Sequence, residues 1–138
     1  MSSTDPGAGR PPHEDGLVQL LGIREERLEP GQVRCRMRAQ DAHRNIQGVV
    51  HGSVTMALLD TAMGHAVDSL LEPGGWCSTT QISFQFHRAV RSGEELEALG
   101  AVTHRGRKIA YVEGTCRNGR GEIVAIGQGA WYLGTPRP

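Results

Sequence analysis

The hydrophobic and polar positions of this chain fall into two rhythms. From position 33 onward, Val33, Cys35, Met37 and Ala39 alternate with Arg34, Arg36 and Arg38. A period of two marks a strand with one buried and one wet face. Residues 17–21 read as a short capping helix, residues 23–28 as a preceding strand, and Pro30-Gly31 as a turn. Residues 52–71 follow the other rhythm. Their apolar set (Val54, Met56, Ala57, Leu58, Leu59, Ala62, Met63, Ala66, Val67, Leu70, Leu71) falls nearly all round a helix. A helix apolar on all sides is expected to be buried on all sides. Glu72-Pro73-Gly74-Gly75 ends it, with glycine available for a left-handed cap. Four further strands are predicted over 77–87, 94–104, 108–117 and 122–133, with Ile82, Phe84 and Phe86 of the first pointing one way. Ser92-Gly93, Arg105-Gly106 and Asn118-Gly119 with Gly121 supply tight turns, which predicts an antiparallel meander. The sum is an α+β layout, a long curved antiparallel sheet wrapped around one central helix.

Composition narrows the function classes. With 138 residues, one well-cored domain is expected over 16–138. Residues 1–15 are rich in Ser, Pro and Gly and read as a disordered lead. Fifteen Lys plus Arg balance fifteen Asp plus Glu, so no net field recruits nucleic acid or an anionic membrane. No segment approaches the roughly 18 unbroken apolar residues of a membrane helix, and no secretory signal opens the chain. Cys35, Cys77 and Cys116 lie far apart and make no metal-type pair, which fits reduced thiols in a cytoplasmic protein. His43, His87 and His104 likewise lack metal-ligand spacing.

The residue that breaks the local pattern is Asp60, a lone carboxylate inside the apolar helix. An unpaired buried charge costs several kcal/mol, on the order of 2–7 for a polar group and more for an ion. The helix start offers the complementary chemistry. Its first N–H groups have no internal partner and sit at the positive end of the dipole. Gly52 lets a carbonyl oxygen approach them closely, which makes the beginning of an oxyanion hole. Asn45 adds an amide, and His51 a donor or acceptor. Asp60 lies eight residues past Gly52, about 12 Å along the helix at 1.5 Å per residue. The two groups of one chain therefore do not reach one carbonyl, and the spacing predicts a dimer with its site at the interface. His65, five residues past Asp60, falls about 140° round the helix, which argues against an acid–histidine pair of the kind a hydratase needs.

The run Asn45…Gly48-Val49-Val50-His51-Gly52…Leu58-Leu59-Asp60-Thr61-Ala62…Gly64 resembles the signature of hot-dog-fold acyl-CoA thioesterases, in the PaaI-like (phenylacetate-degradation) branch. The similarity spans about residues 17–133. It implies a sheet wrapped round this helix, homodimers joined edge to edge, and dimers that pair into a homotetramer. It also implies an acyl-CoA substrate with no separate cofactor, since coenzyme A is part of that substrate. By this resemblance the Gly52 N–H, helped by Asn45, polarises the thioester carbonyl. Asp60 of the partner subunit acts as general base or nucleophile. Ser78 orients the water, with Thr79 and Thr80 standing beside it as alternatives, and His51 supports the loop and the leaving thiolate. Ser53 stands where the family usually carries a second glycine, which implies an altered fit at the carbonyl pocket. A carboxylate in apolar surroundings has its pKa pushed upward, toward the range useful to a base. Arg105, Arg107, Lys108 and Arg88, with Arg91, are the candidate contacts for the coenzyme A phosphates. An acyl-CoA-binding module and an acyl-thioester hydratase remain as other functions of the same fold.

Overall fold

A computed structural model describes residues 15–136. Its elements run α1 (Gly16–Leu21), β1 (Arg24–Glu29), β2 (Gln32–Arg38), α2 (Gly52–Asp68), β3 (Trp76–Phe86), β4 (Glu95–Arg105), β5 (Ile109–Asn118) and β6 (Ile123–Gly134). The strands form one six-stranded antiparallel sheet in the order β1-β2-β4-β5-β6-β3, with α2 packed on its inner face. This is the hot-dog layout. Among the described residues no helix is long and apolar enough to cross a membrane.

Residues 1–14 of the lead expected to be disordered lie outside the described residues. Asp15, at the end of that lead, is the N-cap of α1. Its side chain accepts from the Val18 N–H at 3.2 Å and caps α1, while Gly22, at φ 67°, closes the other end.

The alternation in β2 works as its period requires. Val33, Cys35, Met37 and Ala39 are buried, while Arg34 and Arg36 lie across the outer face on Glu97 of β4 and Glu26 of β1. These exposed pairs contribute about 0–1 kcal/mol each; the buried side chains hold the strand in place.

Two features of the central helix differ from expectation. It ends at Asp68 rather than near residue 71, because the Ser69 hydroxyl donates back to the Ala66 carbonyl and accepts from the Gly31 N–H at 2.8 Å. That serine closes the helix and fastens it to the β1–β2 turn. Nor is the helix buried all round. Leu58, Leu59, Ala62, Met63, Ala66 and Val67 are buried, but Ser53, Met56 and Asp60 form an open stripe at helical spacing.

Three glycines set how closely α2 approaches the sheet. Gly100, Gly114 and Gly127 are register partners on β4, β5 and β6, forming one row across the strands. A Cβ on Gly100 would drive into the Ala62 carbonyl of the helix, and one on Gly114 would meet Met63 Sδ at 2.7 Å. None of the three has positive φ, so space rather than backbone conformation demands glycine here.

β4, β5 and β6 do form a meander through short turns, but β3 does not precede β4 in it. It crosses to the far edge and pairs with β6 over its whole length. The connection 87–94 is longer than a tight hairpin allows, which frees β2 to take the place beside β4.

Candidate active site

The loop before α2 is held by its own backbone. Asn45 N–H donates to Val49 O at 2.7 Å, Gly48 N–H to Asn45 O at 3.0 Å, and Val50 N–H to Val90 O at 2.8 Å. Gly48 sits at φ 82°, where a side chain would be strained. Asn45 Oδ1 accepts from the Gln47 N–H at 2.9 Å, so its Nδ2 remains as the donor the site can use. His51 is the N-cap of α2, and Nδ1 accepts from the Ser53 N–H at 3.2 Å. The Gly52 N–H meets no acceptor among the described residues. The half-exposed Phe86 ring stands beside it, 3.4 Å from where a Cβ would lie. An unsatisfied amide at a helix start, bordered by an aromatic face, is suited to bind a carbonyl oxygen.

Asp60 sits two turns further along the same helix. The Thr79 hydroxyl donates to Asp60 Oδ1 at 2.9 Å. Both residues line a cleft of about 290 Å³ between α2 and β3, floored by Trp76, Cys77 and Trp131. The desolvation expected around Asp60 is absent in the single chain, where its side chain is exposed. His65 lines the same cleft but does not pair with Asp60, as the face argument from sequence expects. Its Nδ1 lies 3.1 Å from Glu25 Oε2 of β1 rather than against Asp60.

Among the three neighbouring hydroxyls the structure selects Thr79. Ser78 is exposed and pairs in register with Tyr132, one position off the inward-facing Thr79–Trp131 pair. Alternation along a strand turns it to the outer face. Thr80 occupies the register shift between Thr79 and Gln81 and donates to Ala130 O at 2.8 Å. A β-bulge carries no mark in the sequence that could have settled this.

The candidate phosphate contacts separate into two groups. Arg88 follows β3 near the Gly52 end and is paired with Glu122 at 3.2 Å. The Asn118 amide, with the Arg120 guanidinium beside it, holds the Glu122 carboxyl below the ordinary carboxylate range. Arg105, Arg107 and Lys108 belong to the other end. The Arg105 guanidinium donates to Leu70 O at 2.9 Å, just past the end of α2. Phe86 pairs with Ala125 and Ile109 with Tyr132, so the two groups stand about 23 Å apart along β6 at roughly 3.3 Å per residue. Arg107 and Lys108 have no side-chain partner among the described residues.

Residues 47–125 match the model of the thioesterase superfamily. The chain is 26% identical over 106 residues to human acyl-coenzyme A thioesterase 13, covering 76% of this chain and 75% of that protein. Its fold is similar to the Escherichia coli PaaI protein of the phenylacetic acid degradation operon, with a TM-score of 0.82 at 24% identity over 89% of this chain and 88% of that one. A thioesterase of Haemophilus influenzae superposes with a TM-score of 0.80 at 24% identity, covering 86% of this chain and 82% of that one.

Proposed function

The chain belongs to the thioesterase superfamily and is a thioester hydrolase of the PaaI-like hot-dog type, and we propose that it cleaves acyl-coenzyme A at a site completed by a second copy. The observation that carries the reading is the placement of its two halves at opposite ends of one free edge. β3 pairs with β6 on one side only, leaving its other row of N–H and C=O groups open. Near one end of that strand the Phe86 ring stands 3.4 Å from where a Cβ on Gly52 would lie, and near the other Thr79 donates to Asp60.

Two copies joined antiparallel along β3, with Ser83 on the two-fold axis, place Phe84 opposite Ile82 and Gln85 opposite Gln81 of the second copy. The bulged Thr80 then brings Phe86 opposite Thr79. Paired residues share a face under this register, as antiparallel pairing requires. Across a strand spacing of about 4.8 Å, the Gly52 amide of one copy meets the Asp60 carboxylate of the other. The exposed Met56 and Phe86 then gain apolar neighbours.

In this arrangement the thioester carbonyl accepts from Gly52 N–H and Asn45 Nδ2, which stabilise the oxyanion formed when water adds. Asp60 takes the proton from that water, Thr79 holds the carboxylate in orientation, and coenzyme A leaves as the thiol. Arg107 and Lys108 supply cationic contacts for its phosphates. Coenzyme A enters only as part of the substrate.

The test is a panel of acyl-CoA esters scored for thiol release, with Asp60→Asn as control. Hydrolysis that survives in Asp60→Asn overturns the mechanism. A Ser83→Cys variant tests the register: oxidation is expected to join two chains across the axis, and a chain that stays monomeric overturns the shared site.

A further inference from the structure

The Ser53 hydroxyl lies 2.7 Å from His51 Nδ1, and the Ser53 backbone N–H donates to the same nitrogen at 3.2 Å. A backbone amide has only a hydrogen to offer, so Nδ1 must present its lone pair. The proton of the neutral ring is then on Nε2. The hydroxyl faces a nitrogen that has nothing to donate, so it too acts as donor. Both side chains are exposed at the mouth of α2. No partner meets His51 Nε2 among the described residues, and the Gly52 N–H on the next residue is equally unengaged.

We propose that Ser53 is a positioning residue that holds His51 in its Nε2–H form, making the imidazole a third oxyanion donor beside the Gly52 N–H and Asn45 Nδ2. A ring tied at Nδ1 by one donor can still tilt about its Cβ–Cγ bond. The Ser53 backbone amide sets the tautomer, and its hydroxyl, sharing the same in-plane lone pair at the shorter distance of 2.7 Å, fixes the plane of the ring. The group recognised is the oxygen of a thioester carbonyl, whose charge grows as water adds. A neutral N–H donor already in place needs no reorganisation at that moment. The cap and the donor are thus two functions of one ring, one at each nitrogen.

The experiment combines nitrogen-15 spectra of the imidazoles with thioester kinetics on the full chain. In the wild type at neutral pH, His51 is expected to show an unprotonated Nδ1 and a protonated Nε2. Ser53→Ala is expected to shift the Nδ1 resonance toward that of a less bonded nitrogen. It should also lower kcat roughly five- to tenfold with KM little changed, the loss of about one hydrogen bond. Ser53→Thr, which keeps the hydroxyl, restores both. His51→Ser retains a good N-cap, so the melting temperature holds while kcat falls at least as far as in Ser53→Ala. A wild-type ring protonated on Nδ1 overturns the proposal. So does a Ser53→Ala variant with an unchanged spectrum or unchanged kcat. Only the kinetic arm rests on the acyl-CoA reading: a wild type that cleaves no thioester sinks that reading, whereas the spectra still decide the tautomer.

Discussion

The Thr79 hydroxyl and Asp60 Oδ1, 2.9 Å apart, tie the middle of α2 to the edge strand of the sheet. The bond occupies one carboxylate oxygen. The other has no partner among the described residues.

Asp60→Asn keeps the shape and an acceptor for Thr79 but loses the base. Thiol release from an acyl-CoA ester is expected to fall by about 10²–10⁴, the usual range for a positioned base. Asp60 is exposed in the single chain and asparagine keeps its shape, so circular dichroism and the melting temperature should be nearly unchanged.

Thr79→Val preserves volume and removes the hydroxyl. The carboxylate then rotates freely, and kcat is expected to fall about tenfold, near one hydrogen bond's worth. Ser78→Ala, on the outer face, should stay within about twofold of wild type, since surface substitutions rarely exceed ±0.5 kcal/mol. Steady-state kinetics on the two variants side by side decide which hydroxyl serves Asp60.

What could be read from the amino acids alone follows from which forces act locally. The alternation of Val33, Cys35 and Met37 with arginines needed only a strand and one core, so β2 emerged with its faces correct. The Gly52–Asp60 separation is a property of any α-helix, and the structure keeps it. The open stripe of Ser53, Met56 and Asp60 is not legible in the sequence because an apolar residue such as Met56 carries the same code whether or not its own chain covers it. The place of β3 at the far edge depends on which strand wins the side of β4, a competition between distant segments. Ser78 was favoured over Thr79 because a bulge at Thr80 has no residue signature. The glycine row is legible only in part: glycines inside strands signal close backbone approach, but which strands align them, and beneath which helix, depends on register between distant segments.

Gly100→Ala is expected to cost about 3 kcal/mol, because the added methyl meets the rigid carbonyl of Ala62. Gly114→Ala should cost about half as much, since the atom in its way is the flexible Met63 sulfur. Urea unfolding of both variants, with slopes compared to wild type, measures the difference.

Glu122 gives a pH prediction. Its carboxyl is held low first by the Asn118 amide, then by Arg120, with Arg88 adding to the effect. A depressed carboxylate contributes stability that is complete above its unfolded pKa of about 4.3 and lost as pH falls through the lower folded value. Glu122→Gln is therefore expected to lower the melting temperature at neutral pH and to converge with wild type in stronger acid. Parallel curves at every pH would refute this.

Alkylation separates the thiols. Burial pushes Cys35 and Cys116 up to about 12, so almost no thiolate is present at pH 8. Cys77 is only half-buried and lines the cleft beside Asp60. Peptide mapping after brief iodoacetamide treatment of the native chain should find the label on Cys77 and not on the other two.

The bed of glycines beneath α2 has a consequence for how this scaffold can diversify. Where an element rests on bare backbone, its height cannot be trimmed by swapping one side chain for a slightly larger or smaller neighbour. A lineage adapting to a bulkier or thinner acyl group would have to edit the margins: the 44–51 loop, the rim of β3, the 105–108 turn. Directed-evolution libraries aimed at the centre of the sheet would yield mostly unfolded chains, while those aimed at its borders would sample new preferences without disturbing the platform that carries the acid.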